Sequence, residues 1–304
     1  MRNLLDVSII IVNYNTRELT RNCLKSVFAQ TKDISFEVIV SDNGSTDGSI
    51  GMIETEFPQV KLIENNANLG FGAANNRGLK VAKGKYIFYL NSDTVLLNNA
   101  VKIFFDYWEN SPEKEKIGAL GCVLQDDKGN LIHSGGEFPT YNSICRERFS
   151  ELVHSYTKYL LLKLRLDMIY QFLRKEIKTE RIISGVVDYV TGADLFMLND
   201  RFAKFDERFV LYYEETDLQK NLRNQTGKKS FLIDEPKILH LLHKGRIEEI
   251  KFETFSTFHN KVSSVLYFKK YGKKARALNF FNKIIFLLPP NKKWNKEYKE
   301  RIHK

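Results

Sequence analysis

A chain of 304 residues with 43% hydrophobic and 28% charged side chains has the make-up of a globular protein, long enough for one large α/β core or two smaller ones. Its three cysteines, Cys23, Cys122 and Cys145, show no paired spacing, which excludes a disulfide framework, and no run of about 18 apolar residues is present to span a bilayer. The net charge of +10 is unevenly placed: residues 264–304 hold 12 Lys and Arg against two acids, and the other 263 residues hold 35 of each sign.

No secretory leader is read at the N-terminus, so the expected compartment is the cytoplasm. Residues 7–12 (Val-Ser-Ile-Ile-Ile-Val) form a β-branched run and a first strand. Asn13-Tyr14-Asn15-Thr16 closes it, with Thr16 placed to cap a helix through Gln30. Residues 36–40 are a second strand, ended by the turn-forming Ser41-Asp42-Asn43-Gly44-Ser45-Thr46-Asp47-Gly48, in which Asp47 is placed to cap the next helix. Residues 60–64 read as a third strand, followed by a loop to Gly72 and a helix over 73–82. The apolar run Tyr86-Ile87-Phe88-Tyr89-Leu90 is a buried fourth strand that stops abruptly in Asn91-Ser92-Asp93.

Strands alternating with helices predict a parallel, doubly wound sheet with right-handed crossovers. Each polar loop follows a strand, so Asn15, Asp42, Gly70 and Asp93 converge on the sheet edge where such folds bind ligands. Asp93 suits a hard cation, because Mg²⁺ takes one or two protein carboxylates and leaves its other positions to phosphates and water. The same three residues also read as a strand followed by an Asx turn. Two nucleotide motifs are excluded. Asn75 stands where a dinucleotide fingerprint needs its third glycine, and residues 227–230 lack the earlier glycine of a P-loop.

Farther on, the spacing predicts a helix over 97–108, a strand over 117–124, and a hairpin turn at 126–130 leading into residues 131–133. Residues 149–178 have helical spacing and a basic character, which suits a lid or packing helix or, alternatively, membrane contact. Residues 187–199 return to strand character, and the apolar residues 209–213 lead into Glu214-Glu215-Thr216-Asp217 at the start of a helix. Three acids there complement the helix dipole, yet one of them beside a diphosphate can serve as a general base, since an ordinary Glu is ionised at pH 7. After a strand at 230–233, His240 and His243 lie three apart, suited to a metal shell or to a hydrogen-bonded core. The tail interleaves aromatic and basic residues, which fits an anionic membrane surface better than nucleic acid.

Taken together, these loops resemble the family 2 glycosyltransferases of the GT-A fold, particularly the bacterial rhamnosyltransferase-like branch, from residue 7 to about residue 245. Ile11-Val12-Asn13-Tyr14-Asn15 is similar to the family's opening strand and turn, which implies donor-base contacts from Val12, Tyr14 and Asn15. Residues 40–47 resemble its "DNGSTD" loop, whose first Asp, here Asp42, contacts the base. Residues 68–78 resemble the glycine and asparagine segment beside ribose and phosphates, which implicates Gly70 and Asn75. Leu90-Asn91-Ser92-Asp93 stands where the family has DxD; Asn91 replaces the first Asp, Asn91 and Ser92 face the donor, and Asp93 is the implied metal ligand. His133-Ser134-Gly135-Gly136 and Val190-Thr191-Gly192-Ala193-Asp194 look like sugar and acceptor loops, giving Gly192, Ala193 and Asp194, with Glu214, as acceptor residues. Residues 213–218 align with "YEDxDL", which puts Glu215 in the place of the catalytic base, and Ile238-Leu239-His240 resembles the strand bearing the metal-binding His240.

The resemblance implies an α/β protein of GT-A type, with a Rossmann-like, mostly parallel sheet flanked by helices and a basic helical tail. Residues 1–245 would be the transferase domain, divided into a nucleotide half (1–98) and an acceptor half (99–245) with a helical insertion near 149–178. Residues 246–304 would be an amphipathic extension. The implied activity is inverting transfer from a nucleotide-diphosphate sugar, dTDP-rhamnose or a UDP-hexose, to a hydroxyl of a lipid-linked or growing cell-surface glycan. It would require Mg²⁺ or Mn²⁺ and take place at the inner face of the cell membrane, with the protein bound peripherally through its tail, no nucleic-acid partner, and homo-oligomerisation left open. The alternative is a non-catalytic nucleotide-sugar or glycan-binding module, against which the joint presence of Asp93, Glu215 and His240 argues. A nucleotidyltransferase would need a basic, glycine-rich N-terminal loop, which residues 12–15 do not provide.

Overall fold

The computed structural model describes residues 5–164, 184–241 and 254–303. They divide into two compact units. The first carries β1 (Leu5–Asn13), α1 (Arg17–Gln30), β2 (Phe36–Asp42), α2 (Ser49–Glu56), β3 (Lys61–Glu64), α3 (Phe71–Leu79), β4 (Gly84–Asn91), β5 (Thr94–Leu96), α4 (Ala100–Asn110), β6 (Ile117–Cys122) and β7 (Gly135–Gly136). After α5 (Tyr141–Lys163) of the second unit, the first continues with β8 (Gly185–Val187), β9 (Tyr189–Val190), β10 (Asp194–Leu198), α6 (Glu214–Thr226), β11 (Lys229–Ile233) and β12 (Ile238–His240).

Among the described residues, eight strands form one sheet in the order β3-β2-β1-β4-β10-β6-β11-β8. The block β3, β2, β1 and β4 is parallel, as is the β6–β11 pair, whereas β10 runs antiparallel to both β4 and β6, and β8 to β11. The largely apolar make-up of β1 follows from burial on both faces. Val7, Ile9 and Ile11 join a core with Cys23, Leu24 and Phe104, while Ile10 joins another with Tyr89, Phe205 and Leu218. Two small ladders flank the sheet, β5 with β12 and β7 with β9.

Several boundaries differ from the sequence reading, each for a tertiary reason. Thr16 occupies the position before α1 but does not cap it; its hydroxyl bonds Asn13 Oδ1 at 2.7 Å. The carboxylate of Asp47 takes that part, accepting the Arg17 N–H at 2.8 Å and the Ser49 N–H at 3.0 Å, so one side chain serves the starts of both α1 and α2. Burial works against its ionisation, but these bonds and that of the Ser49 hydroxyl outweigh it and hold its pKa below the ordinary Asp value. The helix expected from residue 97 starts at Ala100, because the Leu97 N–H donates to the Lys237 carbonyl and the Asn98 side chain bonds the backbone of Glu235 and Lys237. The strand expected over 187–199 is three short ones, β8, β9 and β10.

The second unit comprises α5, the segment Leu211–Tyr213, α7 (Phe255–Lys270), α8 (Arg276–Leu287) and α9 (Lys292–His303). Helix α5 begins at Tyr141 rather than 149, because Thr140 accepts the Ser143 N–H as its cap; the rest of the segment expected to be helical, from 165, lies outside the described residues. Several aromatic residues of the tail pack inward: Phe258, Tyr267, Phe268, Phe286 and Tyr298 are buried, and Trp294 stacks on Phe258 at 4.7 Å. Lys261, wholly buried, pairs with Glu151 at 2.5 Å, which offsets the cost of enclosing both charges.

Candidate active site

The ends of β1, β2 and β4 deliver three polar loops to the carboxyl edge of the first unit's sheet. Asn13, wholly buried at the end of β1, ties them together. Its amide donates to Asp42 Oδ2 at 2.5 Å and to Ser45 Oγ at 3.0 Å, and its carbonyl accepts from Thr16 and Thr20, each at 2.7 Å. Thr16 in turn lies 3.1 Å from Ser92 Oγ in the loop after β4. Sequence reasoning missed Asn13 as the hub; its signal was an amide closing the apolar run of residues 9–12.

Asp42 is buried, and its other oxygen accepts the backbone N–H groups of Gly44 at 2.9 Å and Ser45 at 2.7 Å. Its carboxylate therefore builds the loop from within. Asn15, at φ 52°, holds the Thr46 N–H at 2.8 Å, and Tyr14 beside it is 46% exposed. Val12 pairs across to Ser41 and Asn91, which registers the three strand ends with one another.

Asp93 and His240 meet at 3.2 Å, Oδ1 to Nε2, each side chain partly exposed. The β5–β12 ladder aligns His240 with Thr94, and the Leu241 N–H bonds the Asp93 carbonyl at 2.8 Å, which fixes the pair from the backbone. His243 lies outside the described residues. Among the described residues no group of three or more His, Cys, Asp or Glu side chains is placed to hold a metal. Two donors 3.2 Å apart nonetheless suit neighbouring positions on a six-coordinate cation with bonds of about 2.1 Å, its remaining positions going to phosphate and water. The pair thus fits a divalent cation shared with a diphosphate.

The Asn91 N–H bonds the Ala193 carbonyl at 3.0 Å, which brings the loop 191–193 against the end of β4. Gly192 sits where a Cβ would come within 3.1 Å of the Phe71 ring and 3.8 Å of Glu215 Cβ, so a larger residue there would press on the Phe71 ring. Gly70, at φ +86°, faces the Val210 carbonyl, which an added Cβ would meet at 2.4 Å. Glu215, in the first turn of α6, has its pKa raised by burial against the opposing help of backbone and Thr216 hydrogen bonds. Gln219, one turn on and also missed from sequence, bonds both the N–H (2.9 Å) and the C=O (2.8 Å) of Val190 as well as the Glu215 carbonyl (3.0 Å). It locks the start of α6 to the end of β9. Tyr189 feels the Glu215 charge, and burial together with that charge lifts its hydroxyl to about 12; His133 reaches it at 3.2 Å, and Phe138 lies against its ring.

Two expected contacts are corrected. Asp194 does not face an acceptor: it is wholly buried, Oδ2 accepts the Cys122 N–H at 2.6 Å, and burial pushes its pKa up to about 7. Asn75 is also buried, and its amide donates to the Phe71 carbonyl of its own helix at 3.2 Å. Glu214 is buried beside Gly72, on the interior side of the α6 start.

Residues 8–157 match the family model described as glycosyl transferase family 2. The chain belongs to that family. A chondroitin synthase of Escherichia coli is 33% identical over 144 residues, an alignment covering 45% of this chain and 20% of that one. An N-acetylglucosaminyl-diphospho-decaprenol L-rhamnosyltransferase of Mycobacterium tuberculosis is 26% identical over 222 residues, covering 68% of this chain and 66% of that one. The chain therefore spans less than two thirds of the length of either relative. In fold it is similar to a mannosyltransferase from Pyrobaculum calidifontis solved with GDP-Man and Mn2+, with a TM-score of 0.55 at 14% identity, covering 99% of this chain and 74% of that one. The family member thus has the GT-A architecture, a mixed α/β sheet flanked by helices.

Proposed function

We propose that this glycosyltransferase-family protein moves a sugar, with inversion, from a nucleotide-diphosphate donor to a hydroxyl of a glycan or lipid-linked acceptor. The observation that carries the reading is the continuous chain of contacts along one sheet edge. It runs from Asp42 through Asn13 and Thr16 to Ser92, with the Asp93–His240 pair beside it and Glu215 reached through Gly192.

Val12, Tyr14 and Asn15 bound the space for the base, and the loop built by Asp42 forms its other wall. The glycine at 70 lets the Val210 carbonyl pack against the loop after β3. Asp93 and His240 would hold Mg²⁺ or Mn²⁺, which when bound neutralises charge on the departing diphosphate. Glu215 takes the proton of the acceptor hydroxyl as that oxygen bonds to the anomeric carbon, and the electron pair of the breaking C–O bond leaves with the diphosphate. A base with a raised pKa holds that proton more firmly than an exposed Glu does. Tyr189, with Phe138 against it, offers an aromatic face for the acceptor near Glu215. The polyprenol-diphosphate substrate in the mycobacterial relative's name supports a lipid-linked acceptor and, with it, a place at the anionic inner face of the membrane.

The test presents the full chain with dTDP-rhamnose and a set of UDP-hexoses, with and without Mn²⁺, and follows the melting temperature and donor hydrolysis. One donor should stabilise the protein only with metal and be slowly hydrolysed. Stabilisation by none overturns the reading, and metal-dependent binding with neither hydrolysis nor transfer marks the non-catalytic binding module instead.

A further inference from the structure

Helix α5 leaves Phe149, Val153, Leu160 and Leu164 between 51% and 64% exposed. At about 100° per residue these four fall within roughly 60° of the helix circumference, so they form one stripe. Helix α8, in the same unit, exposes Arg276, Phe280, Lys283 and Leu287, again within about 60° of its circumference, with Phe280 and Leu287 59% and 58% exposed. The helices touch, with the Phe149 and Phe281 rings 5.8 Å apart and the Tyr156 hydroxyl 3.3 Å from the Ile284 carbonyl.

Charge selects what covers these stripes. Helix α8 contains no acidic residue, exposed Arg146 and Lys163 border the α5 stripe, and exposed Lys273, Lys274, Lys292 and Lys293 flank α8. Of the two acids on α5, Glu151 is tied to Arg148 and Lys261, and Glu147 projects from the opposite side of the helix. A second copy would bring like charge against like. A polyanion such as nucleic acid would leave six large apolar side chains without a partner. An anionic bilayer answers both features, with acyl chains for the apolar residues and headgroups for the cations.

We propose that the α5–α8 face is an interfacial anchor that seats on an anionic lipid surface. The inference deepens the membrane partner proposed above and rests on that part of the reading alone, independent of the roles given to Asp93 and Glu215. It also moves the anchor: four of its six large apolar side chains come from the α5 stripe, and several of the tail's aromatic residues are spent on packing.

The test is co-sedimentation of the full chain with vesicles of mixed phosphatidylcholine and phosphatidylglycerol, against vesicles of phosphatidylcholine alone. The protein should sediment only with the anionic vesicles. Phe280→Asp and Leu160→Asp should each weaken that binding about tenfold or more, and Lys283→Glu about fivefold or more, given the worth of one cation near such a surface. The melting curve and donor-induced stabilisation should be unchanged, because all three sites are exposed. No binding by the unaltered chain, or equal binding by the three variants, overturns the proposal. A dimer in lipid-free solution that Phe280→Asp dissociates also overturns it, in favour of a second copy. Sugar transfer to a soluble acceptor is read separately, so failure of the anchor and failure of the catalytic reading give different results.

Discussion

Asp93 Oδ1 and His240 Nε2 stand 3.2 Å apart although almost 150 residues separate them in sequence, and the β5–β12 ladder and the Leu241 N–H to Asp93 carbonyl bond bring their two segments together. A cation bound there gains two protein donors at once, with no loop to order first. Asp93→Ala and His240→Ala should therefore each weaken Mn²⁺-dependent nucleotide binding, by at least the 10- to 100-fold typical of losing even an outer-shell partner. Metal-free nucleotide binding should barely change. Calorimetric titration with and without Mn²⁺ makes the comparison, and equal affinities for variant and parent would refute the metal role.

Glu215 is half-buried at the start of α6, and burial raises its pKa above the ordinary value of 4.5. If it is the base, the acid limb of the rate profile should fall above that value, since the proton must be absent before the residue can accept one. Glu215→Gln should lower kcat about 10²- to 10⁴-fold while leaving donor affinity within a small factor. A variant with full activity would remove Glu215 from the chemistry. Glu215→Asp, one methylene shorter, separates reach from basicity: the acid limb should persist while kcat falls.

What the sequence disclosed and what it withheld follow one division. The first strands were legible because β1 and β4 are buried on both faces and so read as largely apolar runs that stop at polar loops. Residues whose work depends on a distant partner were not. Nothing local distinguishes Asn13 from any strand-ending amide, or Gln219 from any helical glutamine, until Asp42, Ser45 and Val190 are brought beside them. Asp194 was misread because its loop motif gives no sign of which way the side chain turns, and the antiparallel β10 turns it towards Cys122. In the tail, the aromatic spacing marked helical faces but not whether other helices covered them.

Asp194 carries a pH signature of its own. A carboxyl whose folded pKa lies above its unfolded value supports the fold below the unfolded value and loses that support as pH rises through the folded one. Here the window runs from 3.8 to about 7. Across about three pH units the effect is on the order of 4 kcal/mol for a wholly buried group. In metal-free buffer, Asp194→Asn should flatten the melting temperature between pH 4 and 7 and exceed the parent at pH 8, because its amide oxygen still accepts the Cys122 N–H. Parallel curves for the two proteins would contradict this.

Asn13 offers the sharpest structural test, because its amide and the Asp42 carboxylate meet at 2.5 Å with both residues buried. Asn13→Ala leaves an Asp42 oxygen without its donor, whereas the Thr16 and Thr20 hydroxyls still have each other and Ser92, so a loss of about 1–3 kcal/mol, the cost of one orphaned buried group, is expected. Asn13→Asp preserves shape but sets two carboxylates face to face, and it should be the more damaging change at neutral pH. Adding Asp42→Asn to it restores a complementary pair with donor and acceptor exchanged, and the amide oxygen then present at position 42 can still accept from Gly44 and Ser45. The double variant should recover stability with a coupling of about 1–3 kcal/mol in denaturant titrations, and donor-induced stabilisation should return with it. Additive losses in that cycle would mean that the contact is incidental and that the three loops are held together by something other than Asn13.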